Sequence, residues 1–159
     1  KAADIFGNKY LSIGRDEGTN WCCIQPLLDK TSSTVTEKFT EVLDLLTPIK
    51  TVRPDWGKEF EGRFEAVCKR RDVHCERGLP RRSTNYARAE RWHRTLEEGS
   101  RAALSQSNFS HRWYSLAACM FGEHWNRVSH RQRRCPWLMR YSVEMGWWCE
   151  RFGVWVWGE

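Results

Sequence analysis

The sequence predicts an α/β domain. Three observations lead there. Short runs of aromatic and branched apolar residues alternate with segments whose apolar residues recur at helical spacing. Turn-forming residues punctuate the boundaries between them. The 159 residues, 40% hydrophobic and 29% charged, suffice for about one domain with a real core. No run approaches the roughly 18 consecutive apolar residues of a spanning helix, so no membrane association is expected. The first residue is Lys and no charged-then-apolar leader follows it, so the chain reads as a fragment of a longer polypeptide.

The elements follow in order. Residues 9–15 and 21–27 are aromatic and apolar runs separated by Asp16-Glu17-Gly18-Thr19-Asn20, which reads as a hairpin. A strand before Gly7 is cut off or barely begun. Ser33 or Thr34 is the expected cap of a helix whose apolar positions are Val35, Phe39, Val42, Leu43 and Leu46, with Pro48 as its stop. Residues 49–54 form a short strand. A helix over 58–71 then places Phe60, Phe64, Val67 and Cys68 on one face. Residues 73–77 return as a strand and 78–84 are a basic loop. From Tyr86 a long helix buries Ala89, Trp92 or His93, Leu96 and Ala103, while Glu90 and Arg94, four apart, share an adjacent face. A further helix spans 112–125. In the tail, Trp155 and Trp157 alternate to one face of a strand. Packing against the core is the preferred reading of these aromatics, and stacking on unpaired bases is the alternative.

Two acids stand out. Asp55 lies in Arg53-Pro54-Asp55-Trp56-Gly57-Lys58-Glu59-Phe60, where a strand ends in a glycine-containing turn. Glu90 lies in Arg88-Ala89-Glu90-Arg91, where a helix is expected to open, with 34 residues between the two acids. Either acid alone would be an ordinary solvated carboxylate. Positions where elements end are favoured for sites, and paired acids suit phosphodiester chemistry. Hard Mg2+ prefers carboxylate oxygen and keeps several waters, and divalent ions relieve charge on the phosphoryl group.

Asp-x-Gly-x-Glu-Phe, followed by an Arg/Ser/Thr/Asn loop and Ala-Glu-Arg at this distance, resembles the catalytic core of retroviral and retrotransposon integrases, copia-like elements most of all. The likeness runs from Gly7-Asn8-Lys9-Tyr10 through Trp113-Tyr114-Ser115-Leu116-Ala117 and Asn126 to Cys135-Pro136-Trp137. It implies a ribonuclease-H-like fold, a mixed sheet flanked by helices, with a core over residues 1–134 and a Trp-rich C-terminal extension over 135–159. It also implies polynucleotidyl transfer that joins element ends to target DNA, with Mg2+ or Mn2+ held by Asp55 and Glu90. The family has a third carboxylate, an Asp in the strand before the Gly-x-Lys-Tyr hairpin. That residue is expected upstream of Lys1, with Asp4 as the lesser candidate. Copia-like cores also carry Asn-Gly in the loop before the Glu, where this chain has Tyr86-Ala87. Loss of glycine stiffens that loop, and Asn85 is one residue early.

Charge agrees with a polyanionic partner. Residues 1–60 carry 8 Lys/Arg against 9 Asp/Glu, whereas 61–159 carry 18 against 11, and 17 of those 18 cations are arginine. Guanidinium groups fork onto phosphate oxygens. The expected DNA contacts are Lys58, Arg81, Arg82, Asn85, Arg88, Arg91 and Arg94. A solvated basic face is the bland alternative.

Seven cysteines without a Cys-x-x-Cys pair argue against a disulfide framework and for reduced intracellular thiols. Cys68, His74 and Cys75 lack the paired spacings of a zinc site. Three functions remain open at this stage: a retrotransposon integrase core, working in the nucleus as a homo-oligomer on DNA; an inactive nucleic-acid-binding remnant of one; or a metal-dependent nuclease of the same fold. Fold alone does not separate them.

Overall fold

The computed structural model describes residues 2–45, 49–76, 83–128 and 152–157, with the backbone course alone for 83–89 and 152–157. Five strands make one sheet: β1 (Tyr10–Asp16), β2 (Cys22–Leu27), β3 (Thr51–Pro54), β4 (His74–Cys75) and β5 (Phe152–Trp157), in the spatial order β2-β1-β5-β3-β4. β1 runs antiparallel to β2, with Ile13 opposite Ile24, and antiparallel to β5, with Ile13 opposite Trp155. β5 and β4 run parallel to β3, which pairs Pro54 with Val154 and Val52 with Cys75. The sheet is therefore mixed, and its central strand comes from the end of the chain.

Alternation along the first two strands divides the core. Leu11, Ile13, Cys22 and Ile24 face one side, where α3 (Ser83–Ser107) and α4 (Tyr114–Arg127) add Trp92, Leu96 and Ala118. Tyr10, Cys23 and Leu27 face the other, against α1 (Ser32–Leu45) and α2 (Arg63–Arg70), which supply Val35, Phe39, Val42, Phe64 and Val67. Period-2 strands between helical stripes give a helix-sheet-helix sandwich. Phe39 and Phe64 meet with ring centroids 4.4 Å apart, and Phe60 stands edge-on to Phe64 at 5.0 Å. On the opposite face Trp92 lies 4.4 Å from Trp125, and the Arg15 guanidinium sits 5.1 Å over the Trp92 ring.

Several boundaries differ from the sequence expectation, each for a local reason. The cap of α1 is Thr31, whose hydroxyl accepts from the Thr34 amide and is itself held by Asp29, so the helix starts before Ser33. The helix expected over 58–71 is broken. Residues Lys58–Phe60 form a 3-10 turn and α2 begins after Gly62, whose φ of 58° lies in the left-handed region that glycine tolerates. α3 begins at Ser83, so Glu90 lies about two turns inside the helix instead of at its start. Tyr86-Ala87 offers no breaker, and the helix extends back into the last two residues of the expected basic loop, whose earlier residues lie outside the described ones. Within α3 the buried position is Leu104, and Ala103 is exposed. Leu46, Pro48 and Arg77 lie outside the described residues.

Candidate active site

β3 delivers the first acid. Val52 is fully buried between α1 and α2, and Pro54 ends the strand, its missing N–H fitting the last position. Asp55 follows with a half-buried side chain, and its Oδ1 accepts from the Trp56 amide at 2.7 Å, turning the chain out of the sheet. Arg53, one residue before Pro54, is held from both sides by Glu76 (Nε to Oε2, 3.0 Å) and Glu17 (Nη1 to Oε1, 3.3 Å).

The turn after Asp55 explains the rest of its motif. The Glu59 carboxylate is nearly buried and folds back onto Gly57, where a Cβ would collide with it. Lys30 neutralises it at 2.9 Å. Phe60 is fully buried in the aromatic core and anchors the turn from below. Gly57, Glu59 and Phe60 therefore fix the turn that follows Asp55, while Lys58 stays exposed.

The second acid comes from α3. Trp92 and Leu96 seat the helix on the sheet, and this turns Glu90 outward, exposed. His93, one turn along, is half-buried. Burial lowers its pKa below the ordinary value, while the negative charges of Asp55 and Glu90 pull it back up. Asp55 thus follows β3 and Glu90 stands on α3, with His93, which sequence reasoning assigned only to the core, one turn further along the helix. The signal was available in the i,i+3 spacing of Glu90 and His93.

The other expected residues fall as follows. Arg91 and Arg94 are exposed on α3. Asn85 and Arg88 lie in its first two turns, described by backbone alone. Arg81 and Arg82 lie outside the described residues. Among the described residues, no three His, Cys, Asp or Glu side chains converge to hold a metal.

Asp4 has another task. It is buried, and its carboxylate accepts from the amides of Phe6 (2.8 Å) and Asn8 (2.7 Å), from the Asn8 side chain (3.0 Å) and from the Ser115 hydroxyl. Burial pushes its pKa up, but the bonds from Ser115, Asn8 and Phe6 outweigh this and hold it below the ordinary range. Its acceptors serve a turn that ties the segment before β1 to α4. Asp16 likewise closes the hairpin, accepting from Gly18 and Thr19.

No protein-family model and no curated protein sequence matches the chain. Solved structures do. The catalytic core domain of BIV integrase superposes with a TM-score of 0.69 at 17% identity, over 86% of this chain and 88% of that one. The fold is that of a retroviral integrase catalytic core. HTLV-2 integrase, whose catalytic core domain was solved in complex with magnesium in a trimeric form, gives 0.68 at 15% identity, over 82% and 84% of the two chains. The integrase of the simian T-cell lymphotropic virus intasome, solved with a PP2A regulatory subunit, gives 0.68 at 18% identity; there 83% of this chain covers 48% of that one. The ribonuclease-H-like mixed sheet expected from the sequence is thus the observed fold, and the integrase-core scaffold carries Asp55 and Glu90.

Proposed function

We propose that this chain is the catalytic core of a retrotransposon polyprotein's integrase and that it joins element DNA ends to target DNA by polynucleotidyl transfer. The carrying observation is that an integrase-core fold presents Asp55 at the end of β3 and Glu90 on α3, with 34 residues between them. The core is read as residues 1–134, with 135–159 a Trp-rich extension whose strand β5 enters the core's sheet.

Two carboxylates beside exposed cations suit Mg2+ or Mn2+, because such an ion takes one or two carboxylates and completes its shell with water and substrate phosphate. When bound, the ion would relieve charge on the phosphoryl oxygens. The chain's own residues do the remaining work. Asp55 and Glu90 would hold the ion, and the Gly57-Glu59-Lys30 arrangement fixes the turn that follows Asp55. Lys58, Arg91 and Arg94, with Arg81, Arg82, Asn85 and Arg88, hold the DNA backbone. Phe109, Leu116 and Met120 leave an exposed apolar surface by α4 that suits a second copy of the chain, since integrase assemblies are multimeric in the HTLV-2 and intasome structures.

A second reading, a DNA-binding remnant, is favoured by one observation. Among the described residues the site holds two acids, because Asp4 is occupied in its turn and β5 carries none. Strand joining on labelled oligonucleotides with Mg2+ or Mn2+, paired with Mn2+ titration and DNA binding, separates the readings. Metal-dependent joining that Asp55→Asn and Glu90→Gln each abolish, with DNA affinity kept, supports the integrase. Salt-steep DNA binding without joining or cleavage supports the remnant. Cleavage without joining identifies a nuclease. Joining that survives both substitutions refutes the assigned acids.

A further inference from the structure

Away from the site, α2 and β4 bring two thiols together. Cys68 is in the last turns of α2 and is 1% exposed; Cys75 is the second residue of β4 and half-buried. The chain turns sharply between them. The Val73 amide donates back to the Cys68 carbonyl at 2.8 Å, Asp72 takes a φ of 55°, and Cys75 is then fixed by pairing with Val52 of β3. Both side chains pack on the same apolar cluster and both line one open cleft of about 340 Å3, with Glu65, Lys69, Asp72 and His74 around it. The neighbouring Cys75 thiol and burial push the Cys68 thiol above the ordinary range.

A metal does not account for the pair, because among the described residues no third ligand converges with the two sulfurs. The other described cysteines are engaged differently. Cys22 is held by Asn126 and the Gly122 carbonyl, and Cys119 donates to the Ile24 carbonyl at 3.6 Å. Cys22 and Cys23 are neighbours on one strand and point to opposite faces.

We propose that Cys68 and Cys75 form a reversible intramolecular disulfide that staples α2 to the sheet-edge strand β4, with a peroxide as the oxidant. The half-buried Cys75 is attacked first. Its sulfur takes one oxygen of hydrogen peroxide to become a sulfenic acid, and the other oxygen leaves as water. The Cys68 sulfur then bonds to the Cys75 sulfur, and its proton leaves with the sulfenic hydroxyl as a second water. Two thiols lose two electrons in all, and the two peroxide oxygens gain them. A dithiol reductant reverses the reaction. Sulfenic acids condense readily with an adjacent thiol, and contact within one short segment gives this pair an advantage over distant thiols.

The sequence makes the product easy to recognise. Lys69, Arg70 and Arg71 separate the two cysteines, so trypsin leaves Cys68 in the peptide 64–69 and Cys75 in 72–77. The whole folded chain is treated with hydrogen peroxide, capped with iodoacetamide and digested. A disulfide joining these two peptides is expected to dominate over every other cysteine pairing and to disappear after dithiothreitol. Cys75→Ser abolishes it. Cys68→Ser leaves Cys75 as a sulfenic acid that dimedone traps, which keeps the test decisive on a variant that retains the oxidisable thiol. The proposal is overturned if the linked peptides do not form, if they are no more abundant than other pairings, or if Cys75 in the parent chain passes to sulfinic acid without pairing.

Discussion

Asn126 offers the sharpest test of how the helical layer is fixed to the sheet. It is 1% exposed near the end of α4 and meets β2 at Cys22, itself 3% exposed. β2 is the edge of the sheet, so half of its backbone groups look away from β1 and need other partners. The Asn126 side chain supplies both at once: Oδ1 accepts from the Cys22 amide at 2.9 Å and Nδ2 donates to the Cys22 carbonyl at 2.8 Å. Asn126→Leu keeps the volume and removes both bonds. Two buried backbone groups are then unmet, at about 1–3 kcal/mol each, and the added apolar surface returns about 1 kcal/mol. The expected loss is therefore on the order of 1–5 kcal/mol, a large share of the roughly 5–15 kcal/mol of a typical domain. Asn126→Asp is expected to fall between parent and Leu variant, because the carboxylate still accepts from the amide but faces the carbonyl with a lone pair. Urea unfolding followed by tryptophan fluorescence measures this, with the midpoint expected to fall by about 1 M or more at an ordinary denaturant slope. If Asn126→Leu lies within about 0.5 kcal/mol of the parent, as surface changes do, the amide does not cap the strand and the reasoning fails.

Acid sensitivity tests the Asp4 turn. The folded pKa of Asp4 is depressed, so its contribution to stability is present above the ordinary carboxyl value and is lost as pH falls through the lowered one. Asp4→Asn should flatten that part of the stability profile, and an unchanged profile below about pH 4 would contradict the assignment. At the site, Gly57→Ala forces Glu59 off its seat and away from Lys30. The expected result is weaker Mn2+ affinity with DNA binding retained, read by titration; undiminished metal affinity would show that this turn does not position Asp55. In the sheet, Val154→Pro removes a donor from a strand paired on both sides. It should cost on the order of 1–3 kcal/mol for the unmet partner, and thermal unfolding matching the parent would place β5 outside the sheet.

The α/β class, the first hairpin, α1 and the helix carrying Glu90 were legible because their signals are local. Period-2 alternation at Leu11, Ser12 and Ile13 and the helical stripe of Val35, Phe39, Val42 and Leu43 depend only on which face is buried. The Asp55 turn was legible as a motif, since Gly57 and Phe60 keep fixed offsets from the acid. What the sequence alone did not decide involves partners distant along the chain. That β5 lies between β1 and β3 follows from hydrogen bonds more than a hundred residues apart in sequence, to which no local pattern refers. The seat of Glu59 on Lys30, the Cys68–Cys75 contact and the capping of Cys22 by Asn126 arise in the same way, from chain reversals that bring polar groups together after the apolar faces have packed. Glu90 shows the boundary between the two. Its helix was read from apolar spacing, but its outward-facing place two turns inside that helix required the tertiary packing of α3 on the sheet through Trp92 and Leu96.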